Sequence, residues 1–116
     1  MARGYLLVDD EREFLALARE MLGGGRVVAE ARDADEAERL LTKARPAVVI
    51  IDVHIGATSG FQLARRLREI APHVRVVMTS SVDEPAYDDL SRSVGAVGFL
   101  PKKRLSPVAL ETLLSA

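Results

Sequence analysis

The sequence has no cysteine and no tryptophan, and only two tyrosines and three phenylalanines among 116 residues. Without cysteine there can be no disulfide, thiolate metal site or thiol nucleophile, which fits a reducing compartment. An excess of one charge is also missing. Sixteen basic residues stand against seventeen acidic ones, a net charge of -1, so no global field holds nucleic acid or an anionic membrane. Long apolar runs are missing too: the first, Tyr5 to Val8, follows Met1 to Gly4 and is cut off by Asp9, Asp10 and Glu11. It is too short for a signal peptide or a membrane span. We therefore expect a cytoplasmic protein with no membrane partner and no direct nucleic acid binding. What remains, 48% hydrophobic and 28% charged residues, is an ordinary globular composition, and residues 1–116 are expected to form one domain with a complete core.

Five short apolar runs recur along the chain: Tyr5 to Val8, Val27 to Ala29, Ala47 to Ile51, Val74 to Met78 and Val97 to Leu100. They are continuous and rich in β-branched residues, as strands buried on both faces of a parallel sheet are. Segments with helical spacing lie between them. The first carries Phe14, Leu17, Ala18, Met21 and Leu22 before Gly23-Gly24-Gly25. The second opens at an N-cap, Asp33, with Glu36 three residues on, and repeats Ala37, Leu40, Leu41 and Ala44 until Pro46. The third follows Ser59 and aligns Leu63, Leu67 and Ile70. The fourth, Asp83 to Val94, has only Ala86, Leu90 and Val94 in step and is the weakest helix. The fifth opens with Ser106 as cap and Pro107 at the first helical position, then Leu110, Leu113 and Leu114. Five alternations with short connections predict a doubly wound α/β fold, a five-stranded parallel sheet with helices on both faces.

Sites in such sheets form beyond the carboxyl ends of the strands. After the first run stand Asp9, Asp10 and Glu11, after the third Asp52, after the fourth Thr79, Ser80 and Ser81, and after the fifth Lys102 and Lys103. Each alone has a structural reading: an acidic pair is a helix cap, a hydroxyl cluster ends a strand, and a basic pair is a solvated turn. Together they place the carboxylates of Asp9, Asp10 and Asp52, hydroxyls and a lysine on one edge. Three ionised carboxylates crowd together only around a cation, and hard oxygen donors point to Mg²⁺ beside a phosphoryl group. His54 and His73 are isolated and read as structural, and Arg65, Arg66 and Arg68 read as a solvated helix face.

The ordered set Leu7-Val8-Asp9-Asp10-Glu11, Val49-Ile50-Ile51-Asp52 with Gly60 eight residues on, Val77-Met78-Thr79-Ser80-Ser81, and Gly95-Ala96-Val97-Gly98-Phe99-Leu100-Pro101-Lys102 resembles the receiver domain of two-component response regulators. The resemblance runs from Tyr5 to Leu114 and implies the flavodoxin-like arrangement of receivers. It implies Asp52 as phosphoacceptor and Asp9, Asp10, Asp52 and the backbone carbonyl of His54 as the Mg²⁺ site. Ser80, Ser81 and Lys102 would contact the phosphoryl group, with Ser80 and Phe99 as switch residues. The implied partners are a sensor histidine kinase and a downstream output protein or domain, with association of two copies on activation. The chain departs from the receiver pattern at Gly56, where receivers usually carry Pro, at Ser59, where many have Asp, and at Lys103, where many have Pro.

The residue types suit that chemistry. A carboxylate can attack phosphorus and form a mixed anhydride. A cation and a lysine neutralise charge on the transferred oxygens of a loose transition state. The only chemistry implied is the protein's own phosphorylation and dephosphorylation. The thin fourth helix, with the fifth run and fifth helix, is the expected surface for the output contact. Three rival readings stand beside this one. A small aspartyl-phosphate phosphatase needs a second carboxylate two residues after the nucleophile, where His54 stands. A flavodoxin-like cofactor carrier would cradle phosphate at Asp9-Asp10-Glu11, which would repel it. A receiver-like interaction module that works without phosphorylation is separated from a receiver only by measurement.

Overall fold

Successive strand residues point to opposite faces, and this alternation sorts the core into two halves. Leu6, Val8, Val49 and Ile51 fall in one apolar cluster; Tyr5, Leu7, Val48 and Ile50 fall in the other. The computed structural model describes residues 4–23 and 25–116. In chain order its elements are β1 (Tyr5–Val8), α1 (Arg12–Leu22), β2 (Val27–Ala31), α2 (Ala34–Ala44), β3 (Val48–Asp52), β4 (His54–Ile55), β5 (Thr58–Ser59), α3 (Gly60–Ile70), β6 (Arg75–Ser80), α4 (Tyr87–Ser93) and β7 (Gly98–Pro101). A 3-10 turn (Lys102–Arg104) and α5 (Pro107–Ser115) complete the chain.

The main sheet is parallel throughout, with strand order β2-β1-β3-β6-β7. On one face α1 and α5 bury Leu15, Ala18, Leu22, Leu110 and Leu114. On the other, α2 and α3 bury Ala37, Leu41, Leu63, Ala64 and Leu67, and Tyr87 and Val94 at the two ends of α4 join them. The doubly wound expectation therefore holds. The caps hold as well: Asp33, Ser59 and Ser106 each accept a backbone N–H three residues on, which satisfies a donor that the first helical turn leaves free. Among the described residues no helix is long and apolar enough to cross a membrane.

Several expectations need correction. Leu17 is 67% exposed, because the buried stripe of α1 runs through Leu15, Ala18 and Leu22, beside it on the helix. α4 starts at Tyr87 rather than Asp83, and its buried residue is Ser91, whose hydroxyl donates to the Tyr87 carbonyl at 2.6 Å. Leu90 is exposed and Ile70 is 38% exposed. Arg68 is not solvated like Arg65 and Arg66. Its guanidinium donates to the carbonyls of Pro72 and Val74 and closes the end of α3. β6 runs on to Ser80 and β3 to Asp52, so Asp52, Thr79 and Ser80 are strand residues rather than residues after a strand. Of the three glycines expected to end α1, Gly23 is its C-cap, and Gly24 lies outside the described residues.

Candidate functional site

The register of the sheet builds the site. Val8 lies beside Ile51, Ile51 beside Met78, and Met78 beside Phe99. One step on, Asp52 pairs with Thr79, and one further Ser80 pairs with Pro101. Asp9 comes directly after β1, and Lys102 directly after β7. The chain winds from β1 outward to β2 and returns to β3 on the other side of β1, so the crevice between the ends of β1 and β3 is the switch point where such sheets bind ligands. Asp9 and Asp52 stand on its two sides.

Both carboxylates are buried, Asp9 at 1% and Asp52 at 7% exposure, and each is oriented in the same way. Asp9 Oδ1 accepts the Glu11 N–H at 2.8 Å, and Asp52 Oδ1 accepts the His54 N–H at 2.8 Å. These two-residue side-chain turns leave both Oδ2 atoms facing the crevice. Lys102 Nζ lies 2.8 Å from each Oδ2 and 3.1 Å from Glu11 Oε1. The Asp9 contact is a charge pairing without an aligned hydrogen bond, since Asp9 Oδ2 is buried and has no hydrogen-bond partner. Burial pushes the Asp9 carboxyl up to about 6, against the pull of Lys102 and the Glu11 N–H and with the help of neighbouring Asp52. Burial lowers the Lys102 ammonium, but Asp52, Asp9 and Glu11 outweigh it and hold the group above its usual range. Nζ also lies 4.2 Å from the centroid of the Phe14 ring.

Glycine makes the floor possible. A Cβ on Gly60 would lie 1.9 Å from the Asp52 carbonyl oxygen, so only glycine lets the start of α3 press against β3, where the Gly60 N–H donates to the Val53 carbonyl at 2.7 Å. Gly56, at φ 58°, turns its N–H toward Asp10 Oδ2 at 2.8 Å. A proline there could neither donate nor adopt that φ. Ser80 Oγ accepts the Val82 N–H at 3.0 Å, which leaves its own proton free to donate.

Asp9, Asp10, Asp52, His54, Ser80, Ser81 and Lys102, together with Glu11, line one cavity of 320 Å³. Phe99 does not line it. It stands behind, edge to face with Tyr87 at 5.3 Å, and Tyr87 meets Phe61 at 5.7 Å and the His54 ring through its hydroxyl at 3.5 Å. Among the described residues no three acidic or imidazole side chains converge on one metal position, because Lys102 sits between Asp9 and Asp52 and Asp10 is turned to Gly56. The donor set nonetheless suits a hard cation. Its atoms are carboxylate oxygens, and one of them, Asp9 Oδ2, is buried with the Lys102 charge beside it but no aligned hydrogen bond. Sequence reasoning assigned no role at the site to Glu11, Phe14, Tyr87 or the Gly56 N–H. A signal for Phe14 exists, since it is the only aromatic residue in the first helical segment and stands one turn after Asp10. Backbone contacts such as that of Gly56 leave no such trace.

A family model described as the response regulator receiver domain matches residues 5–115. The transcriptional activator protein ExaE of Pseudomonas putida is 34% identical over 113 residues, which is 95% of this chain and 53% of that protein. The phosphate regulon transcriptional regulatory protein PhoB of Pseudomonas aeruginosa is 32% identical over 121 residues, 100% of this chain and 52% of that protein. A solved LuxR-family two-component response regulator from an Aurantimonas species superposes with a TM-score of 0.86 at 25% identity, covering 99% of this chain and 84% of its own. The chain spans about half the length of the curated relatives it matches.

Proposed function

The chain belongs to the response regulator receiver domain family, and from that footing we propose how its own residues perform the switch. Asp52 accepts a phosphoryl group: one carboxylate oxygen forms a bond to phosphorus while the bond from phosphorus to the donor breaks, and the leaving group keeps that electron pair. The observation that carries this reading is the Oδ2 pair. Asp9 and Asp52 each use Oδ1 on a backbone N–H, so the atoms free to react or to hold a cation meet at Lys102 Nζ.

Each neighbour then has a task. Lys102 neutralises charge on a phosphoryl oxygen as a compact cation. Ser80 donates its hydroxyl proton to another phosphoryl oxygen, Ser81 lines the same side, and drawing Ser80 inward carries the end of β6 with it. Asp9, Asp10, Asp52 and the His54 carbonyl would hold Mg²⁺, which when bound supplies the positive charge that screens the incoming phosphoryl group. With that charge bound, Lys102 would no longer be the sole cation balancing Asp9 and Asp52 and would be free to turn to the phosphoryl group. Phe99 moves with Ser80 as the second switch residue, and the surface of α4, β7 and α5 passes the change on. Residues 1–116 act as one receiver unit, whose only chemistry is its own phosphorylation and dephosphorylation. Its donor is a sensor histidine kinase in the cytoplasm, and its reader is an output protein or domain, with pairing of two copies on activation.

Fluorine NMR with beryllofluoride, which takes the shape of a phosphoryl group on a carboxylate, tests the reading. Bound fluorine resonances are expected in the parent with Mg²⁺ and absent in Asp52→Ala. Equal resonances in the variant, or none in the parent, would overturn it.

A further inference from the structure

We infer that Phe14 is a positioning residue for Lys102, holding the ammonium over its ring at the edge of the pocket; the inference deepens the reading of Asp52 as phosphoryl acceptor and rests on it. Lys102 has far to reach. β7 stands two strands from β3 and three from β1, yet Nζ lies 2.8 Å from both Asp52 and Asp9. The backbone gives little direction, because Lys102 opens a 3-10 turn and is followed by Lys103 rather than a rigid ring. A four-carbon stem with this freedom needs support from the side, and α1 provides it.

The supports differ in kind. Asp9 and Asp52 hold Nζ only while their Oδ2 atoms are free, and in the proposed reaction both atoms acquire other company. Glu11 remains, but its side chain is 61% exposed, and an exposed ion pair contributes little. The Phe14 ring, 4.2 Å from Nζ, is unaffected by what the carboxylates bind. It attracts the cation through the negative face of its π system, and the Lys102 side chain is only 12% exposed, so water competes weakly. The ring therefore keeps the ammonium at the pocket when the carboxylates let go. It consumes none of the three N–H donors in fixed directions, so Nζ stays free to turn toward a phosphoryl oxygen. Beside the ring a groove of 370 Å³, bordered by Leu17, Met21 and Leu105, leaves room for a larger aromatic side chain.

Three variants isolate the ring from its bulk. Phe14→Leu keeps the apolar character and loses the π face; Phe14→Tyr and Phe14→Trp keep it. Two quantities are read on each folded protein: the chemical shift of the Lys102 ammonium protons in ¹⁵N-lysine samples without metal, and the rate of phosphorylation by acetyl phosphate with Mg²⁺. The parent, Tyr and Trp proteins should show ring-shielded ammonium protons and similar rates. The Leu protein should lose the shielding and react about five-fold more slowly, within the two- to thirty-fold span of cation–ring attraction. An unshifted ammonium in Leu, an unchanged rate in Leu, or a loss in Tyr and Trp equal to that in Leu would overturn the inference. A parent that takes no phosphoryl group at all would instead overturn the reading of Asp52, and with it any part for Phe14 in the transfer.

Discussion

Replacing Asp9 with Asn should stabilise the metal-free protein at neutral pH while removing its response to Mg²⁺. The carboxyl titrates near its ordinary 3.8 in the unfolded chain and at about 6 in the fold, chiefly because it is buried. The folded state thus holds the proton more tightly, so the stability it contributes is complete below about pH 4 and is lost as pH rises through about 6. A difference of roughly two units corresponds to about 3 kcal/mol at pH 7. Asn removes the buried charge: its Oδ1 still accepts the Glu11 N–H, and its Nδ2 stands where Oδ2 faced Lys102, a donor beside a donor, so the ammonium turns to Asp52 and Glu11, which it keeps. Urea unfolding in the presence of a chelator should therefore show Asp9→Asn more stable than the parent by up to about 3 kcal/mol at pH 7 and equal to it near pH 4. Millimolar Mg²⁺ should then raise the parent's stability by mass action and leave the variant unchanged. A variant less stable than the parent at pH 7, or a gain that does not shrink between pH 7 and pH 4, would refute the account of Asp9 as a carboxylate whose ionisation the fold opposes.

Gly60→Ala should be among the most damaging small substitutions in the chain, because its Cβ would meet the backbone of Asp52 and Val53 rather than a flexible side chain; a loss of about 3 kcal/mol or more in urea unfolding is expected, and a loss under about 1 kcal/mol would count against the close approach. Asp10→Ala should weaken Mg²⁺ binding at least ten-fold by titration calorimetry while Glu11→Ala changes it little, since Asp10 lines the crevice next to Asp9, whereas the Glu11 side chain is 61% exposed and engaged with Lys102; equal effects would contradict the assignment. Hydrogen exchange with and without beryllofluoride should change on α4 and β7 and stay silent on α2. α4 buries only Ser91 along its length and comes after the exposed stretch 81–86, so a change confined to α2 would place the output surface elsewhere.

Most of the fold was legible because its signals are local and periodic. The apolar runs became the strands of one parallel sheet, buried throughout in β1 and β3, whereas the edge strands β2, with Val28 45% exposed, and β7 are not buried on both faces as expected; Asp33, Ser59 and Ser106 announced their helices through a hydrogen bond that needs only three residues of context. Asp9, Asp10, Asp52, Ser80, Ser81 and Lys102 were legible at the crevice for a related reason: in a parallel sheet all strands end on the same side, so the residues at the carboxyl end of each run converge on the site whatever their individual contacts, whereas the His54 side chain, read as structural, lines it too. What failed depended on the third dimension. Leu15 and Leu17 both fit a helical stripe, and only the position of the sheet decides between them. In α4 the apolar spacing pointed to Leu90, while the buried position went to Ser91, whose hydroxyl satisfies itself on the Tyr87 carbonyl. The chain of rings from Phe61 through Tyr87 to Phe99, and the Lys102 contacts to Glu11 and Phe14, join residues far apart in the sequence. No spacing rule reaches across such distances.

The central claim is that Asp52 is the carboxylate that becomes phosphorylated, and intact-mass spectrometry after incubation with acetyl phosphate and Mg²⁺ tests it most directly. The parent should gain one phosphoryl unit that a chelator prevents, and Asp52→Asn should gain none. An equal gain in Asp52→Asn, or a parent that gains nothing, would contradict it.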